Sequence, residues 1–102
     1  MSIGSSQPFR PAGTASLAAG TASASVALAG GGDSLLVTNA SAATAFVRLG
    51  ADPTVAATAA DMPVLPNGRA LLGVNPLITY AAALLTTGSG TVFFTRGDGS
   101  YV

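Results

Sequence analysis

The sequence predicts an all-β fold: a small β-sandwich or jelly-roll-like domain of about eight short strands, with an extended N-terminal arm. Three observations carry this. Short apolar, β-branched runs recur along the chain, some with period-two alternation. Clusters of Gly, Pro, Asn, Asp and Ser separate them at regular spacing, the pattern of sandwiches and barrels. Large core formers are few, with four Phe, two Tyr, two Met and no Trp among 102 residues, which suits a thin core between facing sheets. A chain of this length is expected to form one domain with a modest core, read here as an arm over 1–13 and a single domain over 14–102.

The arm, MSIGSSQPFRPAG, carries Pro8 and Pro11 around Phe9-Arg10, and each proline biases the residue before it toward extended backbone. Phe9 either caps its own core or docks on a neighbouring subunit. Thr14–Leu17 reads as a short strand. Ala22–Ala29 alternates, with Ser23, Ser25 and Ala27 on one side and Ala24, Val26 and Leu28 on the other. An alanine-rich helix competes there, but the flanking glycines and interspersed hydroxyls favour a strand. Gly30-Gly31-Gly32-Asp33 reads as a flexible turn, since a phosphate-binding loop would need a lysine and a following helix.

Leu35–Leu49 is the organising stretch. Leu35–Thr38 and Ala45–Leu49 read as strands folded back on each other around Asn39–Ala43. Leu35, Val37 and Asn39 share one face, as do Ala45, Val47 and Leu49. The Phe46 face is apolar enough to be covered as well, by a partner. Asp52-Pro53 could open a helix over 54–62, although a short strand near Thr54–Thr58 is preferred. Pro66-Asn67-Gly68 has strong turn chemistry and predicts a hairpin over Val64–Leu72. Leu77–Leu85 and Thr91–Arg96, joined by a Gly/Ser loop, predict a last hairpin. Gly97-Asp98-Gly99 reads as a turn before Tyr101-Val102.

Charge sets this chain apart. Only 8% of residues are charged, against about 25% in typical soluble domains. Lys, Glu and His are absent, and four Arg balance four Asp. A neutral, weakly charged surface tends to associate, so much of it is expected to be covered by copies of the chain or by partners. Zero net charge argues against nucleic-acid binding. The sequence holds no apolar run long enough for a membrane span, and its signal for secretion is weak. The absence of Cys excludes a disulfide framework and thiolate metal sites. Missing His, Cys, Lys and Glu remove most acid–base and nucleophilic groups, so no catalytic, cofactor or metal site is expected. Asp33, Asp52, Asp61 and Asp98 fall where turns are expected, and there Asp bonds its own backbone. Arg48 and Arg96 could pair with Asp. Arg96-Gly97-Asp98 spells an integrin-binding tripeptide, but reads as a strand end and a glycine turn.

Three phrases, ASVALAGGGDSLLVTNASAATAFVRLG (Ala24–Gly50), ADMPVLPNG (Ala60–Gly68) and GTVFFTRGDG (Gly90–Gly99), resemble a group of small β-sandwich virion proteins of tailed bacteriophages. Those proteins serve as head decoration (cement) proteins or as parts of head or tail appendages. The resemblance covers most of Ala12–Val102 and contains no catalytic motif. It implies a homo-oligomer on the outside of a protein shell, made in the host cytoplasm, with the major capsid protein or another virion protein as partner. A non-enzymatic decoration protein, with a trimer favoured over a dimer, is therefore the expectation. The alternative is a tail, collar or fibre component acting as an adaptor or a receptor- or carbohydrate-binding module. The expected partner-binding residues are Phe9, Arg10, Phe46, Arg48 and Tyr101.

Overall fold

The computed structural model describes residues 10–75 and 77–98. Among them are eight strands: β1 (Arg10–Ala19), β2 (Ala24–Ala27), β3 (Ser34–Asn39), β4 (Ala45–Gly50), β5 (Met62–Val64), β6 (Arg69–Gly73), β7 (Tyr80–Leu85) and β8 (Gly90–Asp98). They form two four-stranded antiparallel sheets, ordered β1-β8-β3-β6 and β2-β7-β4-β5. The pairs nest, first strand with last and so inward to β4 with β5. The chain is thus one long antiparallel ribbon rolled into a sandwich, the jelly-roll order. The all-β sandwich expected from the sequence is the fold observed.

The core follows from period-two alternation. Leu17 and Ala19 of β1, Leu35 and Val37 of β3, and Val92 and Phe94 of β8 face inward from one sheet. The opposing sheet answers with mostly smaller side chains, Ala45, Val47, Val64, Ala81 and Ala83, together with Leu85. Bulk on one side against mostly alanine and valine on the other lets two facing sheets pack with Phe94 as the one fully buried ring among the described residues.

The expected hairpins are not formed. Leu35–Thr38 and Ala45–Leu49 lie in different sheets, as do β5 and β6, and β7 and β8. Each bend is an arch that carries the chain across the core; β4 and β5 alone are consecutive strands within one sheet. Burial shows why. Residues 35, 37, 39, 41, 43, 45 and 47 are all buried while their neighbours are not, so the inward side stays inward right through the bend. Small residues at Ser41 and Ala43 fit the inside of that arch.

Three further expectations are corrected. Residues 53–61 form neither the short strand near Thr54–Thr58 nor a helix; Asp52 and Asp61 instead accept bonds from the backbone N–H groups of Thr54 and Thr58, at 3.0 and 2.7 Å, and fold the segment into turns. Gly97-Asp98 is strand rather than turn, paired with Pro11 and Arg10. Arg10–Gly13, assigned to the arm, belongs to β1, whose edge position tolerates Pro11 through a register shift before Gly13. The remainder of the arm, 1–9, lies outside the described residues.

Candidate interaction surfaces

Each end of the sandwich is closed around an inward-facing polar side chain, Asn39 at one and Arg96 at the other. At one end the inward series of β3 finishes on Asn39, which is fully buried. Its Nδ2 donates to the carbonyls of Ala43, Val64 and Leu65 at 2.8, 3.0 and 3.2 Å. Its Oδ1 accepts from the Ser41 N–H at 3.0 Å and lies 2.7 Å from the Ser41 hydroxyl. Asn39 thereby ties the β3–β4 arch to the end of β5, satisfying the buried Ala43 and Val64 carbonyls and the Ser41 N–H.

At the other end the inward series of β8 runs Val92, Phe94, Arg96. Arg96 is only 5% exposed. Its Nε donates to the Gly32 carbonyl at 3.1 Å, Nη2 to Asn75 at 3.0 Å and Nη1 to Ile78. The planar guanidinium staples the β2–β3 loop to the β6–β7 loop, a task suited to a fixed fork of donors. The expected Arg96–Asp pair is not what holds it: backbone carbonyls do. A cleft of about 470 Å³ lies beside it, lined by Gly30–Asp33, Thr79, Arg96 and Asp98. Within the cleft, the Asp98 carboxylate accepts from the Asp33 N–H at 3.3 Å.

The outer face of the β2-β7-β4-β5 sheet is partly covered by the chain itself. Ser25 Oγ donates to the Pro53 carbonyl at 3.1 Å, and Ser23 Oγ accepts from the Ala57 N–H at 2.8 Å. These bonds draw residues 51–61 back over the sheet, leaving outward-facing Ala82 fully buried and Ala57 nearly so. Beyond this cover, Phe46 stands opposite Leu84 and Pro63 and is half-buried. Arg48, two residues on and more exposed, pairs with Asp61 at 3.1 Å. The hydrogen bond from the Thr58 N–H, above all, holds the Asp61 carboxyl below its ordinary range against desolvation, with the Arg48 charge and the Thr58 hydroxyl adding to it.

The structure thus brings Phe46 and Arg48 onto one face. Arg10 opens β1 opposite Asp98, at the Arg96 end and away from them, while Phe9 and Tyr101 lie outside the described residues. The predicted partner-binding residues do not form one constellation. Sequence reasoning passed over Asn39 and Arg96 as end-plugs. The signal was available in both strands, as a polar residue at the next inward position of an apolar alternation. It also passed over the outer face of the first sheet, where Phe93, Leu36 and Leu71 stand half-buried among threonines. Comparison with protein-family models, curated proteins and solved structures found no match.

Proposed function

We propose that this chain is a structural component of a tailed-bacteriophage virion, a decoration protein bound to the outer surface of the head. The observation that carries this is the character of the sandwich surface. The open part of each sheet face is apolar and hydroxylic, with Phe46 and Leu84 on one and Leu36, Leu71 and Phe93 on the other. Leu65 and Leu77, 67% and 74% exposed, stand in loops at opposite ends. Large apolar side chains left open on an almost uncharged molecule mark surfaces made for protein contact. The resemblance of the three sequence phrases to phage virion proteins supports that setting. In it the chain works by adding buried area: each copy bridges neighbouring shell subunits, and many copies together resist pressure from within.

The test is light scattering and co-sedimentation of the purified chain with phage heads stripped of outer proteins. Saturation at a fixed number of copies per head is the expected result. A chain that stays in the supernatant at every head concentration overturns the reading, and glycan or tail-protein binding by the same preparation would then identify an appendage module.

A further inference from the structure

A sheet edge is a row of backbone donors and acceptors that must be covered, blocked or paired, and the four edges of this sandwich are not treated alike. β1 and β2 close on each other: a Cβ placed on Gly13 would lie 3.0 Å from the backbone of Ala29 and Gly30. β5 has three residues with Pro63 at its centre, which removes the N–H an incoming strand would need. β6, Arg69-Ala70-Leu71-Leu72-Gly73, has no proline, no bulge and no lysine.

The ladder shows which of its groups face outward. Asn39 N–H donates to the Gly68 carbonyl, and Val74 N–H to the Asp33 carbonyl, at 2.9 and 2.8 Å. With the register Leu35↔Leu72 and Val37↔Ala70, these bonds make 33, 35, 37 and 39 the hydrogen-bonded partners of 74, 72, 70 and 68. Leu36↔Leu71 and Ser34↔Gly73 are then the non-hydrogen-bonded pairs. Leu71 and Gly73 turn their N–H and C=O groups away from β3, and among the described residues nothing meets them.

We infer that β6 pairs antiparallel with β6 of a second copy, about a two-fold axis at Leu71, making one continuous eight-stranded sheet across a dimer. The edge is self-complementary in this register. Leu71 faces Leu71 as a hydrogen-bonded pair, and Gly73 of each copy faces Arg69 of the other, so each long side chain lies beside a residue with none. The two Arg69 side chains stand four residues apart along the strands, about 13 Å at about 3.3 Å per residue, beyond the screening length of about 8 Å at physiological salt. The outward apolar row Leu36–Leu71 continues across the axis. Such a contact is isologous, so it gives a dimer rather than the trimer expected from the sequence. It does not depend on the virion reading.

The test is made on the purified chain without heads. Light scattering at millimolar concentration should give twice the chain mass of 9.8 kDa, falling to the single mass on dilution. Amide exchange of Leu71 and Gly73 should slow many-fold in the dimer and quicken on dilution, while exchange of Leu72, bonded to β3, stays unchanged. Leu71→Pro, which removes an N–H that β3 does not use, should leave a folded monomer. The exchange measurement needs no variant and stands if that substitution unfolds the chain. A monomer at millimolar concentration overturns the inference. So does a trimer, an oligomer with fast Leu71 exchange, or Leu71 protection that arises only when heads are added.

Discussion

Asn39 shows how much one polar side chain can hold when it lies inside a bend. Its amide serves three carbonyls, and its oxygen serves Ser41, all of them buried except the partly buried Leu65 carbonyl. Asn39→Ala removes the side-chain partner of the Val64 carbonyl and of the Ser41 N–H in a buried region, while the Ala43 carbonyl keeps the Ser41 hydroxyl. At about 1–3 kcal/mol for each stranded group, the loss should reach about 3 kcal/mol or more, seen as a lower urea midpoint with an unchanged slope. Asn39→Asp should do nearly as much damage, because a carboxylate cannot donate to the three carbonyls. A loss below about 1 kcal/mol for Asn39→Ala would show that the arch is held by packing alone. The turn carboxylates of Asp52 and Asp61 act differently, through pH. The Thr54 hydroxyl and N–H hold the Asp52 carboxyl below its ordinary value of 3.8, and the Thr58 N–H with Arg48 does so for Asp61. A carboxyl whose pKa is lower in the folded state stabilises fully above the unfolded value; that stability is lost as pH falls through the folded value. The urea midpoint should therefore decline as pH drops below about 3.8. The double variant Asp52→Asn, Asp61→Asn should show a shallower decline, and an identical pH profile would remove these two turns from acid sensitivity.

The run Gly30-Gly31-Gly32 reads from composition as a flexible turn, and its three positions prove unequal. Gly32 has φ of +126° and lies against Gly97, where an added Cβ would sit 2.2 Å from the carbonyl oxygen. Gly30 has φ of +75°, and an added Cβ there would sit 2.8 Å from the backbone of Ala12. At Gly31 an added Cβ would meet nothing within 4 Å, and its φ is not positive. Gly32→Ala should therefore unfold or severely destabilise the chain, by steric contact with backbone and by strain that only glycine escapes. Gly31→Ala should be neutral or slightly stabilising, since it narrows the unfolded ensemble. Equal thermal midpoints for the two variants would mean that the loop yields, contrary to the close packing of the β2–β3 loop on β8. The strands were legible in the sequence because alternation is local: Leu35-Val37 and Ala45-Val47 each declare their inward face. Which strands pair was not legible from turn residues. Asn39–Ala43 and Pro66-Asn67-Gly68 reverse the chain equally well within a sheet or between sheets. The distinguishing sign lay in the unbroken inward series through Asn39, Ser41 and Ala43, small residues at every second place. The end-plugs could have been read from the same series. The outward groups of β6 could not, because they depend on which partner β3 gives its hydrogen bonds to.

Nesting the strand pairs places the greatest sequence separation at the centre of the first sheet, where β8 lies between β1 and β3. Ala19 pairs with Gly90, so β1 and β8 meet only after about seventy intervening residues have been brought round. Non-local pairing of this kind slows folding, because loop entropy is lost before the contacts repay it. The nested order also suggests a remedy, since the outer ends of β1 and β8 are neighbours, with Arg10 opposite Asp98. A circular permutant that joins Asp98 to Arg10 by a short linker and opens the chain within the exposed segment 86–89 keeps every strand and every pair. It turns β8–β1 into a local hairpin. Closing about five residues instead of about seventy saves about 2 kcal/mol by the logarithmic loop-entropy rule. If β1–β8 pairing belongs to the rate-limiting step, refolding measured by stopped-flow fluorescence of Tyr80, the tyrosine the permutant keeps, should quicken by more than tenfold. The unfolding rate should change little, because the native contacts are the same. An unchanged refolding rate would assign the barrier to the inner pairs, β4–β5 and β3–β6. The ribbon would then roll up from its bend, and closure of β1 on β8 would be a late and rapid step.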